Sequence, residues 1–322
     1  MINREGTVDG GAYAPVAVVE RSGLIEGVHF GAVVALDAEG RVVHRIGDPD
    51  HVIYPRSANK PMQASGMVRA GLELPDDELA LVGASHSGEP MHVDGVRRML
   101  ARAGLDASAL QNTPHLPSHE PSRDAEIRAG RGETSICADC SGKHAGMLIT
   151  CSINGWDLAT YLDDDHPLQQ ALRAELELTA GEPVAHTGID GCGAPVWAIS
   201  LTGLARAFAA CVTAQPETPP RRVADAMRRH PEFVGGTDRD VTGFMTDVPG
   251  LLAKDGAEAV YAAAMPDGSA VAVKVSDGGF RAAQVALAAA LPWAGVDPRL
   301  VSRWATVPVL GHGRPVGSVH AL

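Results

Sequence analysis

A chain of 322 residues with 45% hydrophobic and 20% charged residues has enough apolar side chain for one large buried core or two modest ones, and nothing in its composition points to disorder. Its 27 Lys and Arg against 39 Asp and Glu give a formal charge of −12, which repels a phosphate backbone and leaves no basic stripe, so nucleic acid is excluded as a main partner. The first 30 residues lack a basic stretch followed by an apolar one, and no apolar run approaches the ~20 residues of a membrane span, so the expectation is a cytoplasmic protein with no membrane partner.

Residues 16–20 and 28–46 alternate apolar and polar in short runs around Asp37-Ala38-Glu39-Gly40, which reads as two or three antiparallel strands. A helix is expected to begin near Ser57, with Pro61 tolerated in its first turn, and a short one after Pro75-Asp76-Asp77-Glu78. Val93, Val96, Met99 and Leu100 mark the buried face of a third helix that stops at Gly104. Residues 111–135 carry three prolines and read as a long irregular loop, a class of segment that is usually functional or disordered. Helices follow through about Cys151, over 166–179, and as a hairpin over roughly 198–230 broken by the proline-rich 215–220. Residues 258–264 and 269–275 read as strands joined by Pro266-Asp267-Gly268, ahead of a helix over 280–291 and a closing strand near 315–320. The pattern predicts a mixed α/β (α+β) chain in one interdependent unit over 1–322. Its antiparallel sheet would come from about 14–54 and 258–322, with a helical segment over about 57–250 packed beside it.

Five stretches carry candidate chemistry. In Tyr54-Pro55-Arg56-Ser57-Ala58-Asn59-Lys60-Pro61, Ser57 and Lys60 form a Ser-x-x-Lys pair, and residues three apart on a helix share a face, so the amine can serve the hydroxyl as its base. A helix N-terminus at Ser57 would also favour developing negative charge. Ser85, in the small polar run Ala84-Ser85-His86-Ser87-Gly88, is a second hydroxyl able to relay a proton or merely cap a turn, and adjacent His86 reads as structural. Lys274 stands near the end of a strand as a possible charged neighbour, or as an edge lysine facing water.

Cys137 and Cys140 form a Cys-x-x-Cys with no second copy, so a structural zinc tetrad is incomplete and a redox pair remains possible. Cys192, in Asp190-Gly191-Cys192-Gly193, is the natural distant partner for a metal, with Lys143, His144 and Asp190 beside one cysteine or the other. Cys151 and Cys211 sit in apolar helices and read as small core residues. Five cysteines, an odd number, fit a reducing compartment better than a disulfide framework.

Taken together and in order, Arg56-Ser57-Ala58-Asn59-Lys60-Pro61, Ala84-Ser85-His86-Ser87, Cys140-Ser141-Gly142-Lys143-His144, Asp190-Gly191-Cys192, His230-Pro231-Glu232 and Val273-Lys274-Val275-Ser276-Asp277-Gly278 resemble the signature runs of the thermolabile, Rhizobium-type L-asparaginase family, the asparaginase II family. The match covers nearly the whole chain. The resemblance implies a serine β-lactamase-like fold, two Ser-Lys pairs falling on Ser57/Lys60 and Ser85/Lys274, and a zinc falling on Cys140, Lys143 and Cys192. The run Gly236-Thr237-Asp238-Arg239-Asp240-Val241-Thr242 departs from relatives that carry a cysteine before the threonine.

The expected activity is hydrolysis of L-asparagine to L-aspartate and ammonia through an acyl-enzyme. Asp190 would hold the substrate's ammonium, His144 or Arg56 its carboxylate, with zinc positioning substrate and no organic cofactor. A homodimer is the expected assembly. Two alternatives stand beside this reading: another Ser-x-x-Lys amidase or β-lactamase-like hydrolase, and a non-catalytic zinc-binding regulator.

Overall fold

The computed structural model describes residues 10–322. Strands β1 (Ala14–Arg21), β2 (Leu24–Leu36) and β3 (Val42–Ile46) open the chain as an antiparallel meander, and β4 (Val52–Ile53) leads into a 3-10 turn, Arg56–Asn59. That turn runs directly into α1 (Lys60–Arg69), followed by α2 (Asp76–Val82) and α3 (Pro90–Arg102). Next come α4 (Glu120–Arg128), α5 (Ser141–Asn154), α6 (Pro167–Ala180), β5 (His186–Ile189) and β6 (Pro195–Ser200). Helices α7 (Leu201–Thr213), α8 (Pro219–Arg229), α9 (Pro231–Val234) and α10 (Asp240–Asp247) complete the middle. The chain closes with β7 (Leu252–Gly256), β8 (Val260–Ala264), β9 (Ala270–Val275), α11 (Phe280–Ala290), β10 (Thr306–Gly311) and β11 (Arg314–Ala321).

The two ends of the chain do meet in one antiparallel sheet, ordered β10-β11-β1-β2-β9-β8-β7 with β3 on β2. Val19 stands opposite Val319, and Val33 opposite Val273. Ala32-Val33-Val34-Ala35-Leu36 is wholly buried, with α7 and α11 both packed against these strands, which is why it reads as an unbroken apolar run instead of an alternating one. Helix α1 is buried from Lys60 through Val68 and packs against α5, α6 and α8, so it is a central helix with no solvent face. The front of α5 rests on α2 so closely that a Cβ at Gly142 would collide with the backbone carbonyl of Leu81. A side chain there would push Cys140 and Lys143 away from α1.

Four expectations are corrected. The 111–135 stretch is not wholly irregular: it contains α4, a polar helix with no buried residue, held by pairs such as Arg128–Asp124 and therefore lacking the apolar period that betrays a helix. The hairpin expected from 198 begins with β6, whose six residues are all buried; an apolar run that short looks alike as strand or helix. Strand β6 also joins β4 and β5 in a separate three-stranded sheet. Strand β7 lies inside the segment expected to be helical or connecting, and β10 was not expected at all.

Candidate active site

Ser57 lies on the 3-10 turn, and Lys60 opens the helix that continues it, the Lys60 backbone N–H donating to Ser57 O. Arg56, just before, holds φ of +51°, a left-handed value that a residue with a Cβ seldom adopts and that tends to mark functional turns. The turn is wedged from behind by β7: a Cβ at Gly256 would lie 2.5 Å from Pro55 O and 2.9 Å from Ala58 N. Glycine is thus required there for the strand to lie flush against the Ser57 turn.

Ser57 and Lys60 line a cavity of about 190 Å³ together with Arg56, Cys140, Lys143, Asp190 and Cys192. Thr113 and His115 close one side of it, and the Thr113 hydroxyl ties their loop to the opposite one by donating to Gly191 O at 2.8 Å. The volume is on the order of six waters, enough for one small amino-acid amide. In the cavity lining Arg56 Nε donates to Asp190 Oδ1 at 2.6 Å, an adjacent positive and negative charge.

Lys60 is buried, and its Nζ donates to Ala84 O at 2.6 Å and to Ser85 Oγ at 3.0 Å. Ser85 therefore pairs with Lys60 and not with Lys274, the partner that the family resemblance implied. Lys274 Nζ donates instead to Glu258 O and does not line the cavity, because its register on β9, opposite Val260, aims it at the turn between β7 and β8. No hydrogen bond joins Ser57 Oγ to Lys60 Nζ among the described residues, although both face the cavity.

The residue that the sequence reading missed is Lys254, on β7. It is fully buried, and Nζ donates to Asp255 O at 2.6 Å and to Asp255 Oδ1 at 2.5 Å. Burial, assisted by the Lys60 charge and opposed by Asp255, brings its pKa down to about 8. Asp255 accepts in turn from Arg239 Nη2 at 2.6 Å, and Arg239 reaches Ser85 O at 3.5 Å. The 236–242 run thus stands directly behind Ser85, with Thr237 also anchored on the Glu89 carboxylate. A signal for Lys254 existed in sequence, an apolar Leu251-Leu252-Ala253 running into Lys254-Asp255, but only the fold brings that pair to Lys60. His86 is structural: its Nδ1 accepts from Gly88 N–H, so Nε2–H donates to Ser141 Oγ at 2.9 Å, and burial holds its pKa well below the usual range.

Cys140 and Cys192 come together across the cavity from Lys60, with a ring nitrogen of His144, and the three donor atoms all lie within 4.8 Å of one another. Lys143 Nζ donates to Cys192 Sγ at 3.2 Å. The Cys140 thiol hydrogen-bonds to the Cys192 sulfur, which with the Lys143 charge outweighs burial and lowers the Cys192 pKa, while the same hydrogen bond and burial raise that of Cys140. Cys137, three residues from Cys140, takes no part in this cluster.

The family model for L-asparaginase II matches residues 17–321. The chain belongs to the L-asparaginase II family. Membership places it among the amidohydrolases. Among solved structures this family member is similar to Mglu, at 15% identity and a TM-score of 0.37 over 84% of this chain and 67% of that one. It is similar also to a β-lactamase from Mycobacterium bovis, at 16% and 0.40 over 82% and 94% of the two chains. A β-lactamase from Burkholderia vietnamiensis follows at 16% and 0.35 over 77% and 85%. The chain spans about two thirds of the length of the Mglu chains it matches. No match to a curated protein sequence is found. Likeness at this level bears on neither substrate nor mechanism.

The zinc that the family resemblance implies can be tested against this donor set. Two sulfurs and an imidazole within 4.8 Å suit zinc. His144 Nε2 is buried with no hydrogen-bond partner, while Nδ1 meets the Tyr161 hydroxyl at 2.8 Å. Tyr161 OH already accepts from Gln111 N–H, and if His144 Nδ1–H donates to it as well, the Nε2 lone pair is left free for a metal. Burial holds the His144 pKa down to about 4, the neutral form that a ligand needs. Lys143 is the harder donor: burial favours its neutral form, but the flanking Cys192 and Cys140 raise its pKa overall. The residues fit the ion, with His144 joining Cys140, Lys143 and Cys192 as a donor. No helix among the described residues is long and apolar enough to cross a membrane.

Proposed function

We propose that the protein hydrolyses L-asparagine to L-aspartate and ammonia through an acyl-enzyme on Ser57. The observation that carries the reading is the lining of the cavity, which holds a hydroxyl with a buried lysine together with adjacent opposite charges, Arg56 and Asp190. A zwitterionic amino acid matches the charged pair, with Asp190 on the ammonium and Arg56 on the carboxylate. That leaves the side-chain amide facing Ser57.

In this mechanism Ser57 Oγ attacks the amide carbon and Lys60 takes its proton. Lys60, hydrogen-bonded to Ser85, then returns a proton to the departing ammonia, and water releases aspartate by the same route. Lys254 sets the charge around Lys60. Once neutral, it no longer opposes a second ammonium beside it. We therefore expect kcat/KM to rise between about pH 7 and pH 9 with a limb centred near pH 8, and Lys254→Met to lack that limb. A pH–rate profile of the two proteins decides it, and an unaltered limb in the variant would remove Lys254 from the mechanism.

We also propose that zinc sits on Cys140 and Cys192, with Lys143 and His144 as further donors, and supplies, when bound, an electropositive anchor for substrate. The nucleophile is already present in Ser57, so the chain's own residues carry the acyl transfer. Metal analysis should find zinc in the wild type and little in Cys192→Ser, and chelation should raise KM more than it lowers kcat. Loss of kcat at constant KM would contradict a positioning role.

The overall reading is tested by incubating purified protein with L-asparagine and with L-glutamine and following ammonia. Release from asparagine is expected, and a protein that releases none from it is not an asparaginase.

A further inference from the structure

The turn between β7 and β8 brings Ala257 to the cavity wall beside Ser57. The next two residues, Glu258 and Ala259, hold φ of +60° and +56°, left-handed values disfavoured for any residue with a Cβ. Such a turn persists only where its surroundings fix it. Here Lys274 Nζ donates to Glu258 O, and Val275 N–H donates to Ala259 O at 3.0 Å. The Glu258 carboxylate lies against Gly278, where a Cβ would sit 2.8 Å from Oε2. Lys274 is half-buried and, with its bond to Glu258 O, supplies the side-chain part of this support.

The start of the turn bears on the nucleophile. Gly256 lies flush against Pro55 O and Ala58 N, so movement of the turn reaches the Ser57 segment. Among the described residues neither the Ser57 N–H nor the Ala257 N–H has a hydrogen-bond partner. Two unpaired backbone donors beside one reactive hydroxyl are what a tetrahedral oxyanion requires.

We infer that Lys274 is a positioning residue: by holding Glu258 O it fixes the 257–259 turn so that the Ala257 N–H joins the Ser57 N–H in binding the oxyanion. The inference rests on the acyl-transfer reading above. In the step it serves, Ser57 Oγ forms a bond to the amide carbon as its proton passes to Lys60, and the carbonyl π pair moves onto oxygen. When that pair returns, the C–N bond breaks and ammonia leaves with the proton from Lys60.

The test compares Lys274→Met and Lys274→Arg with the wild-type chain. The methionine variant should lose about 10–100-fold in kcat, with KM for L-asparagine within about threefold and the pH limb unmoved. Arginine, which can also donate to Glu258 O, should recover part of the loss. L-Aspartate β-semialdehyde, whose carbonyl forms a tetrahedral adduct with a serine hydroxyl, should bind the methionine variant about tenfold more weakly, with L-aspartate binding unchanged. Hydrogen exchange in the peptide covering 256–260 should quicken in Lys274→Met and much less in Lys274→Arg.

Unchanged exchange would overturn the clamp, and wild-type kcat in a variant with faster exchange would overturn its link to the oxyanion. Loss of the pH limb would make Lys274 a proton carrier and overturn the positioning role. If the wild type neither hydrolyses L-asparagine nor binds the aldehyde, the acyl-transfer reading falls and takes the oxyanion role with it. That result is distinct from a wild type that turns over and a methionine variant that matches it.

Discussion

Replacing Ser57 with alanine should abolish ammonia release from L-asparagine, lowering kcat by about 10³–10⁶-fold, the range seen when the nucleophile of a covalent mechanism is removed. The size of the effect follows from the cavity, where Ser57 is the hydroxyl that faces the substrate space beside Lys60, while Ser85 is engaged by Lys60 Nζ. Stability should change by no more than about 0.5 kcal/mol, because the Ser57 side chain makes no hydrogen bond to the described residues and is only partly buried. A thermal melt alongside the assay separates lost chemistry from lost fold. Retained activity in Ser57→Ala would move the nucleophile elsewhere.

Replacing Lys60 with methionine should cost about 10²–10⁴-fold in kcat, the usual worth of a positioned general base. Lys60 is buried, so the exchange trades two hydrogen bonds, to Ala84 O and Ser85 Oγ, for an apolar chain of similar length and removes a polar group from the interior. Those terms oppose one another, and the fold should survive. Because Ser57 and Lys60 act as one unit, the double variant should be no worse than the more damaging single one. Additive losses would mean that the two residues serve separate steps.

What the sequence made legible was what local spacing determines. Ser57 and Lys60 stand three apart at a helix start, and that separation alone brings both to one cavity. Cys140, Lys143 and Cys192 were legible as soft or basic groups in glycine-containing loops, and they converge. Contacts set by strand register were not legible. Lys274 was paired with Ser85 through the family resemblance alone, but its position opposite Val260 directs it to Glu258 O, and nothing in a linear sequence reveals that alignment. Lys254 escaped for the same reason, since Leu252–Gly256 is buried throughout and lacks the alternation that identifies a half-exposed strand. His144 was read both as a carboxylate-binding group and as a possible further metal ligand, and its ring stands with the two cysteines and against Tyr161, a partner 17 residues away.

The pairing of the chain's ends shows the complementary case. Strands β1 and β11 were expected in one sheet because short apolar runs at both termini flank a helical middle, and β1 does pair with β11. The second, three-stranded sheet was not expected, as β4 has two residues and β5 four, too few for a period to register.

The central claim, an acyl group carried on Ser57 during amide hydrolysis, is tested most directly by rapid acid quench of the protein during turnover of L-asparagine, followed by peptide mass spectrometry. The account predicts an aspartyl ester on the peptide containing Ser57, absent from Ser57→Ala, that disappears as substrate is exhausted. Ammonia release with no adduct on that peptide, under conditions where deacylation is slower than acylation, would contradict it.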